Sequence, residues 1–141
     1  MKTLLFAAIA LIASPALGST ITGDAICPRT IAVTQTPGAP PAGFEAVVSD
    51  RPVRLAGLTI FDGPPKELGS LEPDNGDSGQ PFSVWTLSVD KKRGLWVSCV
   101  YSGTTIVLQH RLPDTITSCR VTYDQNSHLD GYDEIKTMTC K

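Results

Sequence analysis

Past residue 18 the apolar positions fall in short alternating runs rich in Val, Ile, Thr and aromatic residues, and Gly, Pro and Asp cut one run from the next. A period of two in such runs marks strands with one buried face. The pattern predicts strands near 30–36, 43–48, 55–61, 82–89, 94–101, 104–111, 117–123 and 135–140. Only Pro64-Pro65-Lys66-Glu67-Leu68-Gly69 suits a helix, with Pro at its start and Gly at its end, and it is long enough for about one turn. The fold class is therefore all-β: one antiparallel sheet or sandwich with long Pro/Gly-rich connections at 37–43 and 62–81.

The central strands can be registered from their turns. Ser102-Gly103 suits a two-residue hairpin turn, which places Cys99 opposite Ile106 and Val97 opposite Leu108. Asp90–Gly94 suits a five-residue hairpin loop, which places Leu87 opposite Val97 and Trp85 opposite Cys99. One face then collects Trp85, Leu87, Val89, Leu95, Val97, Cys99, Ile106 and Leu108, and reads as core. The reverse face mixes Val84, Thr86, Ser88, Trp96, Ser98, Val100, Thr105, Val107 and Gln109. Near the C-terminus, a hairpin with its loop centred near Leu129–Asp130 aligns Cys119 with Cys140 and Val121 with Met138.

The N-terminus changes the picture of where this domain works. Lys2, the apolar run Leu4–Ala13, Pro15 and the small-x-small Ala16-Leu17-Gly18 read as a secretory signal peptide over 1–18, with cleavage after Ala16 as the rival. The run is too short to span a bilayer, which takes about 20 residues. No Cys stands at the cleavage position, so a lipid anchor is not expected. Residues 19–141 remain as one β-rich domain, directed by the general export pathway to the periplasm. Cys27, Cys99, Cys119 and Cys140 all survive processing, and an even count in an oxidising compartment reads as two disulfides. Four cysteines allow three connectivities; the hairpin register favours Cys119–Cys140, leaving Cys27–Cys99. A zinc site is the alternative, but there is no C-x-x-C pair.

With 41% hydrophobic residues, 18% charged residues and a formal charge of −2, the chain is neither disordered nor a basic nucleic-acid binder. Candidate chemistry is sparse. Gly76-Asp77-Ser78-Gly79-Gln80-Pro81 looks like a serine-protease nucleophile segment, but His110 and His128 both follow it, whereas that family's base and orienter precede the nucleophile. Asp74 and Asp77 sit in a loop like an acidic calcium site, yet Gly76 and Trp85 occupy positions where EF-hand oxygen ligands belong. A solvated acidic loop explains the same residues. Asp124–Glu134 carries four acids and His128, enough for a metal ligand or two, and equally the composition of a loop tip. His110 reads as a structural histidine at a strand end. No cofactor motif is present.

Several segments together carry a resemblance: Cys27-Pro28, the run from Arg54 to Pro65, Leu71-x-Pro73-Asp74, Trp96-x-x-Cys99-x-Tyr101-x-Gly103-Thr104, Cys119-x-Val121-Thr122-Tyr123-Asp124 and Cys140-Lys141. The chain resembles a family of small exported proteins of Gram-negative bacteria that carries a locus-tag label and has no established activity. The likeness covers nearly all of residues 19–141. It implies the signal peptide and the four-cysteine framework, and brings no catalytic residue with it. The reading is a non-catalytic periplasmic binder of a protein partner, of the inhibitor or toxin-immunity type. Trp96, with the acids Asp74 and Asp77, forms the candidate contact set, since an aromatic residue on a polar sheet face is a typical hot spot. The alternative reading is an envelope module that binds a carbohydrate, lipid or metal ion; an enzyme using loop carboxylates comes third.

Overall fold

The alternation along the chain is realised as two antiparallel sheets in the computed structural model, which describes residues 18–76 and 79–141. The expected export signal, except Gly18, lies outside the described residues, as do Asp77 and Ser78. The strands are β1 (Ile21–Thr22), β2 (Thr30–Ile31), β3 (Val53–Asp62), β4 (Ser70–Leu71), β5 (Phe82–Thr86), β6 (Leu95–Tyr101), β7 (Val107–Arg111), β8 (Ser118–Leu129) and β9 (Tyr132–Cys140). One sheet has the order β1-β9-β8-β5; the other has the order β2-β3-β6-β7, with β4 added at the far end of β3. The predicted turn of helix is a 3₁₀ turn at Pro65–Glu67, stopped by Leu68 in the left-handed region.

The inner faces meet in one apolar core. Trp85, Val121, Ile135 and Met138 come from the first sheet, and Leu55, Ile60, Leu95, Val97 and Tyr101 from the second. Ile26, Leu112 and Ile116 close the ends. A small void of about 10 Å³ lies between the sheets, lined by Ile26, Leu58, Ile60, Val97, Leu112, Val121 and Met138 among others. Two disulfides pin this arrangement. Cys119–Cys140 is a direct cross-strand bridge with Cα atoms 4.1 Å apart. Its neighbours Ser118 and Lys141 exchange both main-chain hydrogen bonds, so the cysteines occupy the adjacent non-hydrogen-bonded pair, where side chains stand closest. Cys27–Cys99 ties the N-terminal segment to the middle of β6. Both pairings are the expected ones, Cys119–Cys140 from the hairpin register and Cys27–Cys99 as the pair left over, and Val121 faces Met138 as expected.

The architecture is thus a sandwich, but four local expectations are corrected. First, β5 and β6 are not a hairpin: β5 pairs with β8, setting Trp85 opposite Cys119 rather than Cys99. Asp90–Gly94 does turn tightly, with Arg93 and Gly94 N–H groups donating to the Asp90 carbonyl, but it carries the chain from one sheet to the other. Alternation decides which side chains are buried, not which strand lies alongside, and Trp85 and Leu87 are buried as predicted. Second, the β6–β7 connection spans 102–106, so Cys99 faces Leu108 and Val97 faces His110. The two-residue slip keeps every side chain on its expected face, yet β7 lies at the sheet edge, where Ile106 and Leu108 are exposed rather than core. Third, 43–48 is not a strand: the segment 32–52 has no strand and runs exposed from residue 34 on, with Pro37, Pro40 and Pro41 removing donors and Phe44, Val47 and Val48 in solvent. Fourth, most of the predicted loop 124–134 is strand, and the hairpin closes on Asp130-Gly131, both with positive φ, the conformation that two-residue hairpin turns require.

Candidate functional site

The outer face of the second sheet is built by the even-numbered residues of β6 and their partners. The pairings place Phe61, Trp96 and Arg111 in one row, Thr59, Ser98 and Gln109 in the next, and Gly57, Val100 and Val107 in a third. The first sheet packs on the opposite face, and among the described residues no further sheet covers this one. Val100 and Val107 are each 44% exposed; Phe61 and Trp96 are half-buried. Ser98 is shielded and accepts a hydrogen bond from Gln109 Nε2 at 3.3 Å.

Two arginines set the end of this face that carries Trp96. Arg93 donates from Nη2 to the Asp62 carbonyl at 2.7 Å and pairs with Glu67 at 3.3 Å. Arg111 donates from Nη2 to the Lys91 carbonyl at 3.0 Å and to Asp114 at 2.7 Å. The guanidinium of Arg93 occupies the space a Cβ at Gly63 would need, and that of Arg111 the space at Gly94; both glycines also have positive φ. Only residues without a side chain admit these contacts. They hold the 90–94 turn against β3 and β7, and that turn orients the indole: Trp96 Nε1 donates to the Arg93 carbonyl at 3.3 Å. Trp96 therefore projects from a braced corner with its ring edge fixed.

The other expected site residues lie elsewhere. Asp74 belongs to the opposite sheet's border, where its Oδ2 accepts the Thr86 N–H at 2.7 Å. Beside it, Asn75 accepts the Val84 N–H at 3.0 Å and donates to the Phe82 carbonyl at 2.8 Å. The two side chains thus act as a partner for the outer edge of β5. Asp77 is outside the described residues. His128 Nε2 lies 3.1 Å from Asp133 Oδ1, and among the described residues no group of three or more His, Cys, Asp or Glu converges to hold a metal ion. His110 is structural: its Nε2 meets the Ile26 carbonyl at 2.8 Å, fastening the segment that carries Cys27. Phe61, the neighbour of Trp96, was not legible as a surface residue, because the run Leu58–Phe61 does not reveal which of its members face out.

Tyr101 and Glu134 carry shifted titratable groups. Burial raises the Tyr101 hydroxyl above its usual value, with the Asp24 carboxylate adding to the effect. Glu134 is held below the usual carboxylate range by hydrogen bonds from Ser127 and Arg54.

What this geometry can do is present a rigid, partly apolar surface with an aromatic corner, so the molecule is a binding module of the disulfide-pinned sandwich type. A family model described as "Type VI secretion system Tli immunity protein" matches residues 50–141, and the chain belongs to that family. Its function is the toxin-immunity one expected from the residues: non-catalytic binding of a protein toxin. The match begins at Asp50, so β1, β2 and Cys27 lie before it, while Cys99, the partner of Cys27, lies within it. No curated protein and no solved structure matches the chain.

Proposed function

We propose that this protein neutralises its type VI toxin in the periplasm by stoichiometric binding through the outer face of the second sheet, with Trp96 and Phe61 as anchors. The observation that carries the surface is the pairing of these two aromatic residues with exposed Val100 and Val107 on one uncovered sheet face. Aromatic anchors ringed by smaller contacts are how most interfaces concentrate their energy. The compartment is supported by the signal-like residues 1–18 and by two disulfides, which persist in an oxidising space. Asp74 is not one of the anchors, since its carboxylate already holds the outer edge of β5 in the first sheet. The test is protection of cells in which the type VI toxin that this protein neutralises is delivered to the periplasm. The full chain should protect, and the chain lacking residues 2–18 should not. Protection by the unexported form would remove the periplasmic reading.

A further inference from the structure

Strand β3 is paired along one side with β6 over most of its length, but on its other side it has only two short partners. β2 meets it at Val53 and Arg54, and β4 at Ile60 and Phe61. Arg29 extends the first contact by accepting the Leu55 N–H at 2.8 Å. Ala56–Thr59 therefore has no strand partner on that side among the described residues, a stretch of roughly 13 Å at about 3.3 Å per residue. The Asp62 N–H donates to the Gly69 carbonyl on this side, so by alternation the main-chain groups of Leu58 face the gap.

These same four residues form one wall of an open concavity of about 770 Å³. Val100 and Tyr101 adjoin them, and the β8–β9 hairpin supplies the opposite wall with Tyr123, Ile135 and the tip residues Asp130–Asp133. The hydroxyls of Tyr101 and Tyr123 are occupied, donating to the Pro28 carbonyl and Ser83 Oγ at 3.0 Å each. Tyr132 at the rim is 71% exposed. The only charged side chains among the described lining residues are two acids, Asp130 and Asp133, and no described cation pairs with Asp130. Gly57, Thr59 and Val100 belong both to this cleft and to the outer sheet face, so the two surfaces are continuous.

We infer that the cleft receives an extended, Lys- or Arg-bearing segment of the toxin, which adds to β3 as a strand between β2 and β4. Main-chain hydrogen bonds at Leu58 supply the docking, as in other strand additions. The acidic rim and the exposed ring of Tyr132 select the cation. This rests on the toxin-binding reading above.

The probe is the purified type VI toxin used in that protection test, titrated calorimetrically against the full exported protein and followed by amide exchange. A side chain at Gly57 has open space and no positive φ to strain it, so Gly57→Leu should fold normally while filling the cleft. It should weaken toxin binding at least 100-fold with unchanged thermal unfolding. Asp130→Asn, which keeps a residue tolerant of positive φ in the turn, should weaken binding several-fold at low salt and hardly at all at high salt. The Leu58 amide should exchange at least tenfold more slowly in the complex. Wild-type affinity in both variants with an unprotected Leu58 amide would overturn the strand addition while leaving the toxin-binding reading intact. No binding by the wild-type protein would overturn that reading and this inference together.

Discussion

Trp85 and Trp96 make a paired test of which sheet face is core and which is contact surface. Trp85 is 5% exposed in the core, with Nε1 donating to the Leu71 carbonyl at 3.0 Å. A buried tryptophan removes roughly 200 Å² from water, about 5 kcal/mol at about 25 cal/mol per Å², and part of that persists in the alanine variant. Loss of the hydrogen bond leaves the Leu71 carbonyl short of a partner, at about 1 kcal/mol. Trp85→Ala should therefore cost about 4–5 kcal/mol, a large share of the stability of a domain this size. Trp96 is half-buried, so its truncation should cost about 2 kcal/mol of stability. The exposed half is what the toxin would cover, and Trp96→Ala should weaken binding by about 2 kcal/mol or more, roughly 30-fold. Urea unfolding reads the first quantity and calorimetric titration with the toxin the second. Equal, large stability losses at both positions would show that the outer face is covered after all. Unchanged binding by folded Trp96→Ala would remove this corner from the interface.

Two further outcomes follow from the same structure. Glu134 is ionised more readily in the folded chain, through Ser127 and Arg54, than its ordinary value of 4.5. That stabilisation is present above the ordinary value and is lost as pH falls through the lowered one. Glu134→Gln should thus be less stable than wild type near neutral pH, by about 1 kcal/mol at most for so exposed a pair, with the gap closing in acid unfolding series below about pH 4.5; a gap that widened in acid would contradict the assignment. Replacing Cys27 and Cys99 together by Ala should cost about 4 kcal/mol in the loop-entropy model and free residues 18–31, otherwise held by the two-residue strands β1 and β2, to limited proteolysis. Undiminished protease resistance of that segment would show that Ile26 and the His110 contact suffice.

The parts of the fold legible in the chain were those governed by local rules. Alternation placed Trp85, Leu95, Val97 and Cys99 in the core, and it set Cys119 against Cys140 because both strands run into one tip. Asp130-Gly131 carried a two-residue turn signal, but the polar, acid-rich residues around it masked strands that continue to Leu129 and resume at Tyr132. What stayed hidden was non-local. Nothing near Thr86 says that β5 belongs with β8 rather than with β6, its successor in the chain, because either partner buries the same side chains. Ile106 and Leu108 look like core residues until the sheet order makes β7 an edge. For the site, Trp96 could be placed on the reverse face by parity alone. Phe61 beside it, and the gap along Ala56–Thr59, depend on where β3, β4 and β6 come together.

Stability and recognition rest on different residues in this sandwich, and the sheet edges show how. An exposed strand edge invites pairing with any other chain. Here β1, β2 and β4 are two residues long, and the outer edge of β5 is satisfied by Asp74 and Asn75, whose main chain and side chains bond to Phe82, Val84 and Thr86. Among the stretches left without a strand on one side are β7, with exposed Val107 and Leu108, and Ala56–Thr59 of β3. Both border the face that carries Trp96. The inner faces, together with bridges contributing about 3 and 4 kcal/mol, hold the fold without calling on these stretches. Surface substitutions away from such structural features usually change stability by less than about 0.5 kcal/mol, so the exposed residues of this face can be reshaped to suit a toxin with the core unchanged. A protein that must be stable before it meets its partner, and specific when it does, needs that separation.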